Sequence, residues 1–330
     1  MKRRKKIPKK RKILDKKLIF STGIIAVIVL GLLYYKVSFK TPEIKFSMRA
    51  AIIDQLGRDF PNSEFNDTEN GRVAKLLRNY GFDVSYHPSE NIDIAFYRGL
   101  AKYDYGLIIL RAHSALREDN QTGAPVAVDL FTSENYTDDE SYLWKERKLG
   151  LVTKGFYRWR PNQWYFAITS KFIESLEGYF PKSIVIAMGC WSLKPGFEEM
   201  AEAFIQKGAT AYIGWTDAVY PQDTDKETIN LLNMLLNDDK KLSDAISETN
   251  GYPIPGGTTH LDFHRKSAGN LKISELINEA KSSTTIQKSV DSLKPLPLLL
   301  FCVTNVINYK SKYFASKIKE KNKRFTQYII

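Results

Sequence analysis

Two residues in this sequence have the chemistry of a nucleophile and its base, and each stands directly behind a hydrophobic run. His113 follows YGLIILRA, and Cys190 follows SIVIAMG. A thiol attacks a carbonyl carbon only as the thiolate, so a nucleophilic cysteine needs a neighbouring base such as histidine. If the two runs are neighbouring strands of one sheet, both side chains reach the same edge. The pair is therefore a candidate for covalent acyl transfer.

The elements around these residues alternate between strand and helix. Apolar runs and helical spacing predict β-α-β-α-β up to His113, with a first strand that ends near Asp54 and a first helix over 67–80 that stops at Gly81. After residue 166 the alternation resumes with further helices over about 168–180, 196–207 and 224–236 and with strands over 182–190 and 209–215. The pattern predicts an α/β fold with a mostly parallel sheet covered by helices on both faces, which binds ligands at the carboxyl ends of its strands.

Residues 115–166 interrupt the alternation with a segment rich in tyrosine, tryptophan and phenylalanine. Such a composition is too aromatic for a disordered linker. We expect an ordered insertion within an α/β domain that spans residues 48–292. Long ordered insertions near a strand end often contact substrate.

The N-terminal part predicts a membrane anchor. Residues 1–17 carry eleven Lys or Arg and one acid. Residues 18–35 contain no charge, and this run has about the minimum length of a helix that crosses a bilayer. The positive-inside rule keeps the basic tail in the cytoplasm, so we expect a single-pass protein of the cell membrane with its domain outside. Residues 18–35 would contact lipid, and a linker over 36–47 would join them to the domain.

Outside this tail the chain is nearly neutral. The formal charge of +12 includes +10 from residues 1–17, so the composition does not indicate a nucleic-acid partner. Residues 293–330 contain an apolar segment, 296–309, followed by a basic tail. That segment is short for a membrane span, and Cys302 within it has no catalytic context.

The two strand motifs resemble those of the caspase and gingipain group of cysteine peptidases, in the gingipain-like branch. In that group one strand ends in His-Gly and a later one in a small residue followed by Cys, here His113-Ser114 and Gly189-Cys190. The resemblance covers about residues 48–240 and implies a three-layer α/β/α domain, a Cys-His dyad, peptide or protein substrates and no cofactor. Ser114 stands where the family has glycine.

The site would also need oxyanion donors and a substrate pocket. The backbone N–H of Cys190, beside Gly189, and that of Ser114 or Ala115 are the candidates for the oxyanion hole. The resemblance implies selection of a charged residue before the cleaved bond. Asp54 and Asp217 are the acids that would select Lys or Arg, and Trp215 would form a pocket wall.

Two alternative functions and one possible metal requirement remain open at the level of sequence. His260 and His264, spaced i, i+4 with Asp262 between them, could share one helix face and bind a metal for hydrolysis. An inactive, membrane-tethered binding module of the same fold is a second possibility, and Ser114 favours it. Some relatives use calcium, for which one acidic run offers ligands: Asp138, Asp139 and Glu140.

Overall fold

The centre of the molecule is a mainly parallel six-stranded sheet. The structure is a computed structural model, and it describes residues 45–67 and 71–292. Five neighbouring strands are parallel, and the strand at one edge is antiparallel. From the opposite edge the strands are β2 (Asp83–Pro88), β1 (Arg49–Asp54), β3 (Leu107–Arg111), β8 (Ile184–Ala187), β9 (Ala211–Trp215) and the antiparallel β12 (Leu261–His264).

The central strands are buried along their whole length. Every residue of β3, β8 and β9 is buried, as are all residues of β1 except Arg49. Continuous apolar runs of this kind are typical of parallel strands that are covered on both faces. The mainly parallel sheet of a mixed α/β fold, predicted from those runs, is confirmed.

Helices connect the strands. They are α1 (Arg72–Tyr80), α2 (Ile94–Gly99), α3 (Trp144–Lys148), α4 (Ser170–Ser175), α5 (Glu199–Gln206), α6 (Pro221–Leu236), α7 (Leu242–Ser247) and α8 (Ile273–Ser292). Short 3₁₀ turns occur at Gln55–Arg58, Ser89–Asn91, Leu100–Lys102 and Lys266–Ala268. The described chain up to Ile273 forms one compact unit, and α8 continues beyond it into a second unit.

Local chemistry explains two of the helix ends. Gly81 adopts the left-handed conformation (φ 102°) behind α1, as expected of a C-terminal glycine. The side chain of Asp93 accepts a hydrogen bond from the N–H of Phe96 at 2.6 Å and so caps α2. The first helix begins at Arg72, later than predicted, and Asp67 pairs instead with Arg78 (2.7 Å).

The insertion forms a second sheet. Four antiparallel strands pair in the order β4 (Ser114–Glu118), β5 (Pro125–Asn135), β7 (Arg160–Ile168) and β6 (Val152–Tyr157). Leu130, Phe166 and Ile168 from this sheet join the main hydrophobic core. The insertion is therefore packed onto the domain and begins directly behind His113. A small hairpin, β10 (Tyr252–Ile254) and β11 (Gly257–Thr259), precedes β12.

The predicted anchor over 18–35, the linker's residues before 45 and the apolar segment over 296–309 lie outside the described residues. Within residues 45–67 and 71–292, none of the helices combines the length and the hydropathy that a membrane crossing requires.

Candidate active site

The strand register brings His113 and Cys190 to one edge of the sheet. Strands β3 and β8 are parallel neighbours, with Leu110 opposite Ala187. His113 lies three residues beyond Leu110, and Cys190 lies three residues beyond Ala187. The segments behind the two strands therefore run side by side at the carboxyl edge of the sheet, where α/β proteins bind ligands.

These two segments are in close contact. The hydroxyl of Ser114 donates a hydrogen bond to the carbonyl oxygen of Cys190 at 2.5 Å. A Cβ on Gly189 would lie 2.2 Å from Oγ of Ser114 and 2.5 Å from the carbonyl oxygen of Ala112. Glycine is thus required at 189 because the backbones approach too closely for any side chain. Ser114 uses its hydroxyl to tie the two segments together.

The thiol of Cys190 is held by the backbone of the loop behind β9. Its Sγ lies 3.4 Å from both the carbonyl oxygen and the N–H nitrogen of Val219. Its neighbour Trp191 is in the left-handed conformation (φ 56°), which is uncommon for a non-glycine residue. Burial raises the pKa of the Cys190 thiol. The thiol is therefore in its neutral form in this conformation.

The ring of His113 lies in an aromatic surrounding. Its centroid is 4.3 Å from that of Tyr157 and 5.3 Å from that of Trp159, both at the turn between β6 and β7. The backbone N–H of His113 donates to the side-chain oxygen of Gln55 at 2.9 Å. Burial, and then the nearby positive charges of arginines, lower the pKa of His113 to about 3, so the imidazole is neutral at physiological pH.

His113 makes no hydrogen bond to Cys190 in the described structure. Its Nε2 is buried without a hydrogen-bond partner and points instead toward Asp59, whose Oδ2 lies 3.9 Å away. The two side chains that the sequence predicted as a dyad are brought to the same sheet edge but are not directly joined in this conformation.

Asp59 is the site residue that the sequence analysis missed. Its side chain is 2% exposed, and its carboxylate faces Nε2 of His113 on one side and Nη1 of Arg160 (2.8 Å) on the other. Neither carboxylate oxygen has a partner with hydrogen-bond geometry. Asp59 lies five residues beyond the end of β1, at the carboxyl edge of the sheet where His113 and Cys190 also lie. This position in the sequence could have identified Asp59 as a candidate site residue.

Asp54, predicted as a pocket acid, is instead paired with other side chains in the core. Its carboxylate is 2% exposed and accepts hydrogen bonds from Nη1 of Arg111 (2.6 Å) and from the hydroxyl of Tyr86 (2.9 Å). The same guanidinium binds Asp225 in bidentate fashion, with both contacts at 2.7 Å. Asp54 is therefore part of a buried ion network beneath the site and does not line an open pocket.

The other two predicted pocket residues differ in their surroundings. Trp215 is fully buried, and its indole N–H donates to the hydroxyl of Thr224 at 2.7 Å, so it forms no open wall in this conformation. Asp217 lies beside the thiol segment and accepts hydrogen bonds from the indole of Trp191 (2.7 Å) and from Lys194 (3.4 Å). Although burial raises the pKa of Asp217, hydrogen bonds from the Ala218 N–H and Trp191 outweigh it, and the net shift is downward.

The histidines of the metal alternative are separated by strand geometry. His264 belongs to β12 rather than to a helix, and its Nε2 lies 2.9 Å from Oε2 of Glu202. His260 precedes the strand and contacts Thr216. The prediction of a shared helix face is wrong, because the segment pairs with β9 as an extended strand.

The acidic run offered for calcium lies in the loop behind β5. There Asp139 accepts hydrogen bonds from the backbone and the side chain of Ser141, at 2.9 and 2.7 Å. In the described part of the chain, three or more histidine, cysteine or acidic side chains nowhere come together as a metal site would require.

No protein-family model matches the chain, and no curated protein matches it either. Among solved structures, the fold is similar to the Arg-specific cysteine proteinase gingipain R, with 12% identity and a TM-score of 0.34 over 61% of this chain. A second structure, described as a protease, has 12% identity and a TM-score of 0.36 over 73% of this chain. The alignments span 40% and 51% of the lengths of those two proteins.

Proposed function

We propose that this chain is a cysteine peptidase that hydrolyses peptide bonds through a thioacyl intermediate on Cys190, with His113 as its base. The observation that supports the proposal most directly is the contact between the two strand ends. The hydrogen bond from Ser114 to the carbonyl of Cys190 and the close approach at Gly189 join the backbone segments that carry the candidate nucleophile and the candidate base. A caspase-like, three-layer arrangement of the gingipain type belongs to the same proposal.

The reaction needs four proton transfers, two in each half. His113 takes the proton of the Cys190 thiol, and the thiolate attacks the carbonyl carbon of the scissile bond. The imidazolium then donates that proton to the leaving amine, which leaves a thioester on Cys190. Water, deprotonated by the same imidazole, attacks the thioester, the C–S bond breaks to release the acid product, and the imidazolium returns its proton to the Cys190 sulfur. Backbone N–H groups of Cys190 and Ser114 stabilise the oxyanion in both steps.

The resting pair is neutral, and substrate binding must change its surroundings. A raised thiol pKa and a lowered imidazole pKa both disfavour the ion pair. The backbone of Val219 occupies both hydrogen-bonding positions at the sulfur. We propose that the substrate backbone displaces Val219 from Sγ and that the ring of His113 turns toward the thiol in the same step. Asp59 then stabilises the imidazolium, because its Oδ2 lies 3.9 Å from Nε2 of His113 while Arg160 and Arg58 pair with its other oxygen, Oδ1.

Specificity for Lys or Arg before the cleaved bond rests on Asp217 in this proposal. Asp54 is unsuitable because Arg111 neutralises it inside the core. Asp217 is only partly buried and is bridged by Lys194, which a basic substrate side chain can replace. The full chain carrying Asp217→Asn should therefore lose its preference for basic residues while still cleaving peptides.

The sequence supports a membrane location for this peptidase. We propose that residues 18–35 contact lipid as a single span, with residues 1–17 in the cytoplasm and the domain outside the cell. A reporter fused behind Ile330 tests this orientation. Added protease should degrade the reporter on intact cells, whereas degradation only after the cells are broken would reverse the proposed orientation.

One observation favours a second candidate, a binding module of the same fold without turnover. In the described conformation the thiol is hydrogen-bonded to Val219, and Nε2 of His113 makes no hydrogen bond. A protein that never leaves this conformation would bind peptides at the sheet edge and would not cleave them. The metal-dependent alternative has no comparable support among the described residues.

The experiment that separates these functions is digestion of a mixed peptide library by the full chain. The unmodified protein is compared with Cys190→Ala, with His113→Ala and with a sample that contains a chelator. We expect cleavage that is lost in both variants and persists with the chelator, and mass spectrometry should detect an acyl adduct on Cys190. Cleavage that survives Cys190→Ala would contradict the thiol mechanism. Peptide binding without cleavage, in the unmodified protein, would support the binding module.

A further inference from the structure

A cavity on the insertion sheet lies apart from the candidate active site. It has a volume of about 300 Å³ and is lined by Asn135, Tyr136, Asp138, Lys154, Asn162, Gln163 and Trp164. A volume of this size is at the lower end of the range for small-ligand sites. These residues come from β5, β6, β7 and the loops beside them.

The cavity is on the opposite face of this sheet from His113. Successive side chains of a strand point to opposite faces. Tyr157 and Tyr165 pack against each other with tilted rings (4.8 Å between centroids), and Tyr157 contacts the ring of His113. Trp164 directly precedes Tyr165 and faces the other way, and Nζ of Lys154 lies over the Trp164 ring on that same face. Occupation of the cavity is therefore sterically independent of the proposed reaction.

The lining combines an exposed aromatic ring with groups that bind hydroxyls. Trp164 is 38% exposed at the cavity, and Nζ of Lys154 lies over its ring, 5.0 Å from the centroid, so a ligand ring that stacks on the indole displaces this ammonium. Three carboxamides and one carboxylate complete the wall. A carboxamide both donates and accepts hydrogen bonds, and so does a sugar hydroxyl. An indole face packs against the C–H face of a pyranose ring and excludes water there.

The charges in the wall disfavour other ligands. One ammonium, on Lys154, and one carboxylate, on Asp138, make the lining neutral in sum. A nucleic-acid strand or a phosphate would require an excess of positive charge, and Asp138 would repel either one. An acidic peptide would meet the same repulsion. A neutral polyhydroxylated ring satisfies the amides, the carboxylate and the ammonium together.

We infer that this cavity binds one ring of a neutral saccharide, with Trp164 as the stacking platform and Asn162, Asp138 and Lys154 as partners for its hydroxyls. This site would hold the domain on a polysaccharide or a glycosylated substrate while the thiol site stays free. The inference does not depend on peptidase activity.

The test is titration of the full-length protein with cellotetraose, maltotetraose and chitotetraose, followed by calorimetry and by tryptophan fluorescence. We expect saturable binding of at least one of these. Trp164→Ala should weaken it at least ten-fold, Trp164→Phe should retain most of it, and Asn162→Ala should weaken it a few-fold. Trp144→Ala is the matched control, because Trp144 is also exposed (57%) but lies on α3 outside the cavity.

An unchanged thermal unfolding temperature shows that each variant is folded. Failure of the unmodified protein to bind any of the three oligosaccharides overturns the inference. Binding that Trp164→Ala leaves unchanged places the saccharide elsewhere and also overturns it. Tighter binding of a poly-glutamate peptide, lost in Lys154→Met, would identify the cavity as a peptide site instead.

Discussion

At the residue scale, Gly189 controls the distance between the two strand ends. A methyl group there would lie 2.2 Å from Oγ of Ser114, so Gly189→Ala must push the Cys190 segment away from β4. We expect a loss of about 1–3 kcal/mol in the free energy of unfolding and loss of any peptidase activity although Cys190 is intact. Urea unfolding measures the first effect. Gly257→Ala is the control, since nothing lies within 4 Å of its added methyl, and equal stability of the two variants would contradict the argument.

His113 also makes stability depend on pH. Its pKa is about 3 in the folded protein and near its ordinary 6.5 in the unfolded chain. Between these values the unfolded chain binds more protons, so the free energy of unfolding falls as pH is lowered through this window, by up to about 1.4 kcal/mol per pH unit. His113→Gln should show a flatter dependence. Urea unfolding at pH 7, 6 and 5 measures both proteins, and parallel slopes would disprove the burial of a neutral imidazole.

At the scale of elements, the turn between β6 and β7 reaches across to the edge of the parallel sheet. Its Arg160 pairs with Asp59, and the positive charge of Arg160 helps to lower the pKa of His113. Arg160→Met should therefore raise the pKa of His113, as an NMR titration of its ring protons would show. Arg158→Met, two residues earlier on the same turn, removes an equal charge that does not contribute to that shift. An identical His113 titration in both variants would mean that the turn does not act on the site.

The elements differ in how well the sequence predicted them. The strands β1, β3, β8 and β9 were predictable because buried parallel strands are short uninterrupted apolar runs. The helix predicted over 168–180 is limited to Ser170–Ser175, because Leu176 is extended and Gly178 packs against the carbonyl of Ala101. The four-stranded sheet of the insertion was predicted only as an ordered segment, since its aromatic residues follow no simple period.

At the scale of the whole molecule, Arg111 joins elements that are distant in sequence. From β3 it binds Asp54 on β1 and Asp225 on α6, and all three side chains are buried. Arg111→Met leaves two buried carboxylates unpaired, so we expect the free energy of unfolding to fall by about 3–5 kcal/mol. Arg78→Met is the control, since the pair of Arg78 with Asp67 is exposed and contributes at most about 1 kcal/mol. Equal losses in urea unfolding would show that the network is not a centre of stability.

The sequence by itself determined the alternation of strands and helices up to His113 and from residue 166 to 236, the mainly parallel character of the central sheet, and the edge at which His113 and Cys190 are found. These features follow from local apolar patterns and from the geometry of parallel strands. Only the tertiary structure decided which charges neutralise one another. Asp54 meets an arginine 57 residues away, and the Cys190 thiol meets a backbone group 29 residues away. Such contacts depend on how elements pack, because the side chains involved carry no periodic signal, and they decide which acids and bases remain available for chemistry.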